Sequence, residues 1–424
     1  MDILVIGGGG REHAICWSLS KSTRKPKLYC APGNPGIAEL AECVDIQAEN
    51  IPALVQWVQD HKPNLVMIGP ELPLALGLAD ELLKLGVMVV GPTRAGAQME
   101  ASKDFTKQLL FENNIPTAKA GTFTDYEKAR AYLQIQGAPI VIKADGLAAG
   151  KGVTVCDTLE QAEAALRVAM LDRAFGEAGS KVVIEEFLRG EEASVLAFVD
   201  GETIVPMVSA QDHKRVFDGD KGPNTGGMGA YSPAPVVTDA MNAEVMEKIL
   251  KPTLEALKKR GIIYRGILYA GLMITAQGPK VIEYNCRFGD PETQVILPRL
   301  KTDLVNILMA VAQGKLSHLK VEWDGRPAAC IVLASAGYPG PYPKGKLVMG
   351  LKEAAQVNDA YVFHAGTTMV HGRLATSGGR VLCVTGVGDT IVEALQRAYR
   401  AVSLIHFEGM QFRKDIGWRA IQRK

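Results

Sequence analysis

Short apolar runs alternate with amphipathic stretches over the first hundred residues. Residues 3–6 (Ile-Leu-Val-Ile), 27–30, 65–68 and 87–90 read as short buried strands. Residues 13–20, 51–60 and 75–85 read as helices between them. The strands run into glycine- or proline-rich loops at 7–10, 31–36, 69–71 and 91–92. Alternating strands and helices predict a parallel sheet covered on both faces. The loops then share the edge where such sheets bind ligands.

An α+β texture follows. Residues 99–112 read as a linker helix carrying Lys103, residues 159–170 as a helix, and 139–143, 153–156, 181–186 and 193–199 as strands. Lys143 sits in an apolar strand, and a buried lysine is costly unless it meets an anion. Residues 144–152 (A-D-G-L-A-A-G-K-G) form a glycine-rich hairpin able to fold over triphosphate oxygens, with Lys151 in it. It is not a Walker loop, because the glycine spacing is one short and Gly152 replaces Ser/Thr. A solvated loop lysine is the plain alternative for Lys151.

Residues 211–235 are dense in charge and glycine with little periodicity, which suits a loop closing over an active site. Residues 238–259 and 304–313 read as helices, and 267–275 with 280–284 as paired strands. Beyond residue 315, strands at 328–334, 362–367 and 381–387 precede a helix capped by Asp389. They read as a small α+β domain with Tyr338 and Phe363 in its core; a purely structural lid is the alternative. The expected division is 1–101, 102–320 with a mobile lid at about 120–190, and 325–424. The fold class is thus multidomain α/β and α+β: a parallel N-terminal domain, a body with its lid, and a small C-terminal domain.

Composition narrows the partners. The net charge of +1 gives no electrostatic case for nucleic acid or a polybasic membrane contact. Seven scattered cysteines, none in a C-x-x-C pair, fit buried free thiols in a reducing compartment. No basic leader precedes residues 3–6 and no apolar run approaches a membrane span, so a cytoplasmic protein is expected.

The stretch V-I-E-Y-N-C-R-F-G-D-P-E at 281–292 carries the densest chemistry. Alternation along a strand at 280–284 puts Glu283, Asn285 and Arg287 on one face. The first two offer hard oxygen ligands for Mg²⁺, and Arg287 offers a fork for a phosphate or carboxylate. A solvated edge strand ending in a turn would show the same pattern. The N-terminal loop, Gly8-x-Gly10-x-x-His13, lacks the third glycine of a dinucleotide fingerprint, and Ala31-Pro32-Gly33 stands where a ribose-binding acid would be. A phosphorylated small molecule held by backbone N–H groups and Arg11 suits it better; a turn that merely needs glycines is the alternative.

Four segments together resemble a known family: G-G-G-G-R-E-H-A at 7–14, Q-D-H-K-R at 211–215, G-P-N-T-G-G-M-G-A at 222–230 and N-C-R-F-G-D-P-E at 285–292. Over nearly its whole length the chain resembles the phosphoribosylamine–glycine ligases, which are ATP-grasp enzymes of purine biosynthesis. The resemblance implies an ATP-grasp body behind a pre-ATP-grasp domain, with ATP and Mg²⁺ as cofactors (Mn²⁺ as the alternative ion). It implies glycine, 5-phosphoribosylamine and ATP as substrates, and neighbouring purine-pathway enzymes as candidate partners.

By the same resemblance, Lys103 and Lys143 meet nucleotide phosphates, with Lys151 in the loop over them. Glu185, Glu186 and Leu188 read adenine, and Glu192 the ribose. Glu283 and Asn285 hold the metal, and Arg287 orients an acyl phosphate. Gly8, Gly9 and Arg11 take the ribose phosphate, and Asp212, Lys214 and Asp290 also touch substrate. No second acidic metal ligand appears on the preceding strand, Tyr269-Ala270-Gly271-Leu272. No catalytic base stands out; His213 is the nearest candidate, with a plain loop histidine as the alternative. The rival functions are a related carboxylase, separable by assay with bicarbonate, and a non-catalytic nucleotide-binding regulator, separable by ADP release.

Overall fold

A computed structural model describes residues 1–147 and 152–423; Lys151 lies outside the described residues. The first hundred residues form a five-stranded parallel sheet. Its order is Glu42–Cys43, Lys27–Pro32, Asp2–Gly7, Leu65–Ile68 and Met88–Val90. Leu4, Val5, Ile6, Val66 and Ile68 are buried, as continuous apolar runs in a sheet covered on both faces require.

Two four-stranded sheets follow. One orders Ala120–Phe123, Val182–Glu186, Ile140–Ala144 and Val153–Cys156, and packs helices Tyr126–Gln136 and Leu159–Met170 into a hydrophobic cluster of its own. The other orders Ile204–Pro206, Glu191–Asp200, Arg265–Thr275 and Gly278–Asn285, all antiparallel. A third sheet carries the C-terminal residues. It orders Gln211–Asp212, Gly229–Ser232, Ala328–Ala334, Arg380–Val387 and Ala360–His364, under helix Ile391–Val402. No helix among the described residues is long and apolar enough to cross a membrane.

The structure corrects several expected elements. The helix expected at 75–85 is two, Glu71–Leu76 and Leu78–Lys84, because Gly77 takes a φ of +89° between them. The helix expected at 99–112 breaks at Ser102, whose Oγ accepts from Phe105 N and starts Lys103–Glu112. The helix before Ser20 begins at Gly10, not at 13. Thr390, not Asp389, caps the last long helix, its Oγ1 accepting from Glu393 N. The strand expected at 362–367 ends at His364, and a separate strand, Thr367–Val370, follows.

The largest difference is at 211–235. It is not a single aperiodic loop but four short strands: Gln211–Asp212, Arg215–Phe217, Lys221–Asn224 and Gly229–Ser232. Strands of two to four residues are too short to show a period. Arg413, fully buried, fixes the turn between the middle two by binding Asp220 Oδ1 (2.8 Å) and the Arg215 carbonyl (3.1 Å).

The N- and C-terminal domains meet at two buried histidines. His364 N donates to His13 Nδ1 at 2.7 Å, and the rings lie 5.5 Å apart. Burial, and secondarily the charge of His364, pulls His13 down to about 3; burial pulls His364 down to about 4. The native pair therefore stays neutral where the unfolded chain would bind protons. Its stability contribution is complete above the ordinary value of 6.5 and is lost as pH falls toward 4 and then 3. At pH 5, His13 alone should cost on the order of 2 kcal/mol relative to neutral pH. Urea midpoints at the two pH values check this. His13→Asn, which keeps an acceptor but cannot be protonated, should flatten the acid loss; an unchanged loss would place the sensitivity elsewhere.

Candidate active site

A cavity of about 570 Å³ lies where the domains meet. The strand Gly278–Asn285 runs along it and places Ile282, Glu283, Tyr284 and Asn285 in the wall, with Arg287 just beyond. At one part of the wall, Val141, Val155, Leu188, Met273 and Ile282 supply apolar surface beside Lys103, Lys143, Glu185 and Glu186. Lys143 meets the anion its burial demands: Nζ lies 3.0 Å from Glu185 Oε2 and donates to the Ile282 carbonyl at 3.0 Å. Lys103 Nζ donates to the Gly146 carbonyl at 2.9 Å. Glu186 Oε1 accepts from Lys119 N at 3.0 Å and lies 3.4 Å from Lys280.

Midway, Lys214 sits among carboxylates, 3.2 Å from Glu192 and 3.7 Å from Glu283. Glu192 above all raises the Lys214 pKa well above its ordinary value. Burial would push the Glu283 carboxyl up, but Lys214, Lys143, Lys103 and Arg287 together hold it below the ordinary value. Asp212 goes the other way, raised by burial and by Glu292, Glu192 and Glu283 against the pull of Lys214. Buried Glu292 accepts from Tyr269 Oη at 2.6 Å.

Further along, Arg287 is held by three side chains. Its Nη2 donates to Glu100 Oε1 (2.7 Å) and Asn285 Oδ1 (3.2 Å), and its Nε to Glu71 Oε2 (3.3 Å). Burial opposes ionisation of Glu71, yet Arg287 and Arg11 hold it at about 2. For Glu100 burial wins over Arg287, and its pKa is raised. Arg11 donates to Glu12 (2.5 Å) and to the Phe288 carbonyl (3.2 Å), and approaches Glu71 at 3.9 Å.

Of the N-terminal loop residues named from sequence, Arg11 lines the cavity, and the half-buried Gly8 and Gly9 are not part of its lining. The Gly9 amide donates to Glu12 Oε2 at 2.8 Å, so the helix start is capped by its own carboxylate. A Cβ on Gly8 would meet the Gly33 carbonyl oxygen at 2.5 Å, so this glycine serves close packing. Asp290 is in the wall, bound by Gln294 (2.7 Å) and 3.1 Å from Arg380.

His213 is buried away from the cavity, its Nε2 accepting from Gly417 N at 3.0 Å. It packs the C-terminal region and is not placed to act as a base. Tyr338, expected in the core, instead lines the cavity, its Oη accepting from Gly226 N at 3.0 Å.

Sequence reasoning missed Glu71, Glu100, Lys107 and Arg380. Two carried a usable signal. Glu71 follows a parallel strand at the ligand-binding edge, and Lys107 lies four residues after Lys103 on one helix face. Glu100 and Arg380 gave none, since their partners are distant in sequence. Arg380 donates to the carbonyls of Gly226 (2.6 Å) and Asp290 (2.8 Å), tying the C-terminal domain to both segments. Arg380→Ala is expected to lower kcat/KM about tenfold and to lower the melting temperature as well, since the Asp290 carboxylate 3.1 Å away loses its cation. Kinetics unaltered by the substitution would reduce that domain to a cover.

Models of the phosphoribosylglycinamide synthetase family match most of the chain: the N domain at residues 1–100, the ATP-grasp (A) domain at 101–293 and the C domain at 328–419. The chain is 53% identical to the phosphoribosylamine–glycine ligase of Yersinia pestis, with 100% of both chains covered. It is 52% identical to that of Pseudomonas aeruginosa, covering 100% of this chain and 99% of that one. The crystal structure of the Thermotoga maritima phosphoribosylamine–glycine ligase superposes with a TM-score of 0.86 at 33% identity, covering 98% of this chain and 100% of that one. A biotin carboxylase from Campylobacter jejuni, at 13% identity and a TM-score of 0.75 over 97% of this chain and 92% of its own, shares the fold alone. With three family domains in order and relatives matched along their full length, the chain belongs to the phosphoribosylglycinamide synthetase, or phosphoribosylamine–glycine ligase, family.

Proposed function

We propose that this protein joins glycine to 5-phosphoribosylamine at the expense of ATP, through glycyl phosphate, giving glycinamide ribonucleotide, ADP and phosphate. The observation that carries the reading is the gathering of Lys103, Lys143, Glu283, Asn285, Arg287 and Arg11 in the wall of one cavity. ATP lies along Leu188 and the apolar wall, with adenine at Glu185 and Glu186 and the ribose at Glu192. Its phosphates face Lys103 and Lys143. The sugar phosphate lies at Arg11, and glycine between, near Asp212, Lys214 and Asp290. The segment 120–190 closes over the nucleotide.

Mg²⁺ fits the residues present. Glu283 and Asn285 are hard oxygen donors on one face of a strand, and the Lys214 ammonium beside Glu283 already marks that point as one that attracts positive charge. Bound there, the ion supplies charge neutralisation on the phosphates. The chain's own groups do the rest. Lysines and Arg287 spread the charge that develops as the glycine carboxylate attacks the γ-phosphate. The closed cavity keeps water from the acyl phosphate. The amine then attacks the carbonyl carbon and phosphate leaves.

ADP formation should require glycine, with phosphoribosylamine absent leaving it very slow, and bicarbonate should not replace glycine. Glycine-independent ADP release or turnover with bicarbonate would point to the carboxylase reading. Arg11→Ala is expected to raise KM for the phosphosugar about thirtyfold, the equivalent of about 2 kcal/mol, and to leave KM for ATP nearly unchanged. The reverse pattern would move the sugar phosphate away from the N-terminal domain.

A further inference from the structure

One buried cation in the cavity wall has no part in the chemistry above. Lys107, on helix Lys103–Glu112, is 4% exposed. Its ammonium donates to Thr117 Oγ1 (2.7 Å) and the Ala118 carbonyl (3.3 Å), and lies 3.3 Å from Glu185 Oε2. Three partners use the three donors of an ammonium. Lys143 reaches the same carboxylate oxygen but has, among the described residues, one other acceptor, the Ile282 carbonyl, which leaves it a donor for the cavity. The second oxygen of Glu185, Oε1, is buried with no hydrogen-bond partner among the described residues. A buried acceptor left open in this way suits a ligand that brings a donor.

We infer that Lys107 is a positioning residue for base selection: it clamps Glu185 Oε2 so that Oε1 accepts from the exocyclic amine of adenine, and the pair thereby favours ATP over GTP. The inference rests on adenine lying at Glu185. When nucleotide binds, Lys143 turns toward the phosphates and loosens its hold on Glu185. Lys107 cannot follow, because Thr117 and Ala118 keep it in place. The carboxylate thus retains a counter-charge and stays an acceptor. Guanine presents a carbonyl oxygen where adenine has its amine, so two acceptors would face each other. Burial pulls Lys107 down to about 8, against the opposing pull of Glu185, so it is charged through the neutral range. Without Lys107, a carboxylate that yields Lys143 to the phosphates keeps neither cation, and Oε1 is no longer held toward the base.

The test is kcat and KM for ATP and for GTP in the full-length enzyme and in Lys107→Met, Lys107→Arg and Glu185→Gln. Lys107→Met should raise KM for ATP about tenfold with kcat at saturating ATP nearly unchanged. It should also narrow the ATP-to-GTP ratio of kcat/KM, and Lys107→Arg should restore most of that ratio. Should Lys107→Met fail to fold, Thr117→Val removes only the nearest anchor and should shift the same ratio in the same direction by less. If the ratio moves in Glu185→Gln but not in the Lys107 or Thr117 variants, the role of Lys107 is overturned. If it moves in none of them, adenine does not lie at Glu185.

Discussion

Arg287→Met is expected to cost activity and stability together, with kcat falling about 10²–10³-fold. The proposal sets the guanidinium against the acyl phosphate, and it is pre-oriented by Glu71, Glu100 and Asn285. Its removal leaves Glu100, 9% exposed along its side chain, facing Glu71 with no cation between them. Breaking a buried pair from one side typically costs about 3–5 kcal/mol. Arg287→Lys separates the two effects. It keeps the charge but cannot serve three partners in the plane of a fork, so folding should be largely retained while kcat stays about 10²-fold down. Thermal melts alongside steady-state kinetics read both quantities. A lysine variant with normal turnover would show that only the charge matters.

Glu283→Gln should do the opposite, with a large loss of turnover and a small loss of stability. The Glu283 side chain is 36% exposed to the cavity and, among the described residues, makes no hydrogen bond that holds the strand together. A polar isostere there should cost under about 1 kcal/mol. In the proposed reaction, losing one anionic oxygen would weaken the hold on Mg²⁺, and kcat should fall about 10²-fold or more. Raising Mg²⁺ should recover part of the activity. A variant that melts much lower yet turns over normally would make Glu283 a strand residue and nothing more.

The parts of the molecule legible in the sequence were those whose signal is local. Buried runs such as 3–6 and 65–68 mark a parallel sheet by themselves, and alternation alone places Glu283 and Asn285 on one face. What escaped depends on partners distant in the chain. Nothing near Glu100 announces that Arg287 lies across from it, and nothing near Arg380 announces Asp290. The 211–235 segment failed for another reason, since its short strands are held by residues such as Arg413, about two hundred positions away. At the N-terminal glycines the anion-cradle pattern was visible, while the Glu12 cap on the helix start was not, and Arg11 lines the cavity.

The central claim, activation of glycine as an acyl phosphate, is tested most directly by following oxygen. With glycine labelled with ¹⁸O in its carboxylate, the attacking oxygen becomes the bridge of the acyl phosphate and leaves with phosphorus when the amine takes the carbonyl carbon. Mass spectrometry of the released phosphate should show one glycine-derived oxygen per turnover, and the amide product should keep the other. Unlabelled phosphate, formed at the rate of product, would mean that glycine is never phosphorylated and that the cavity joins its substrates by a different chemistry.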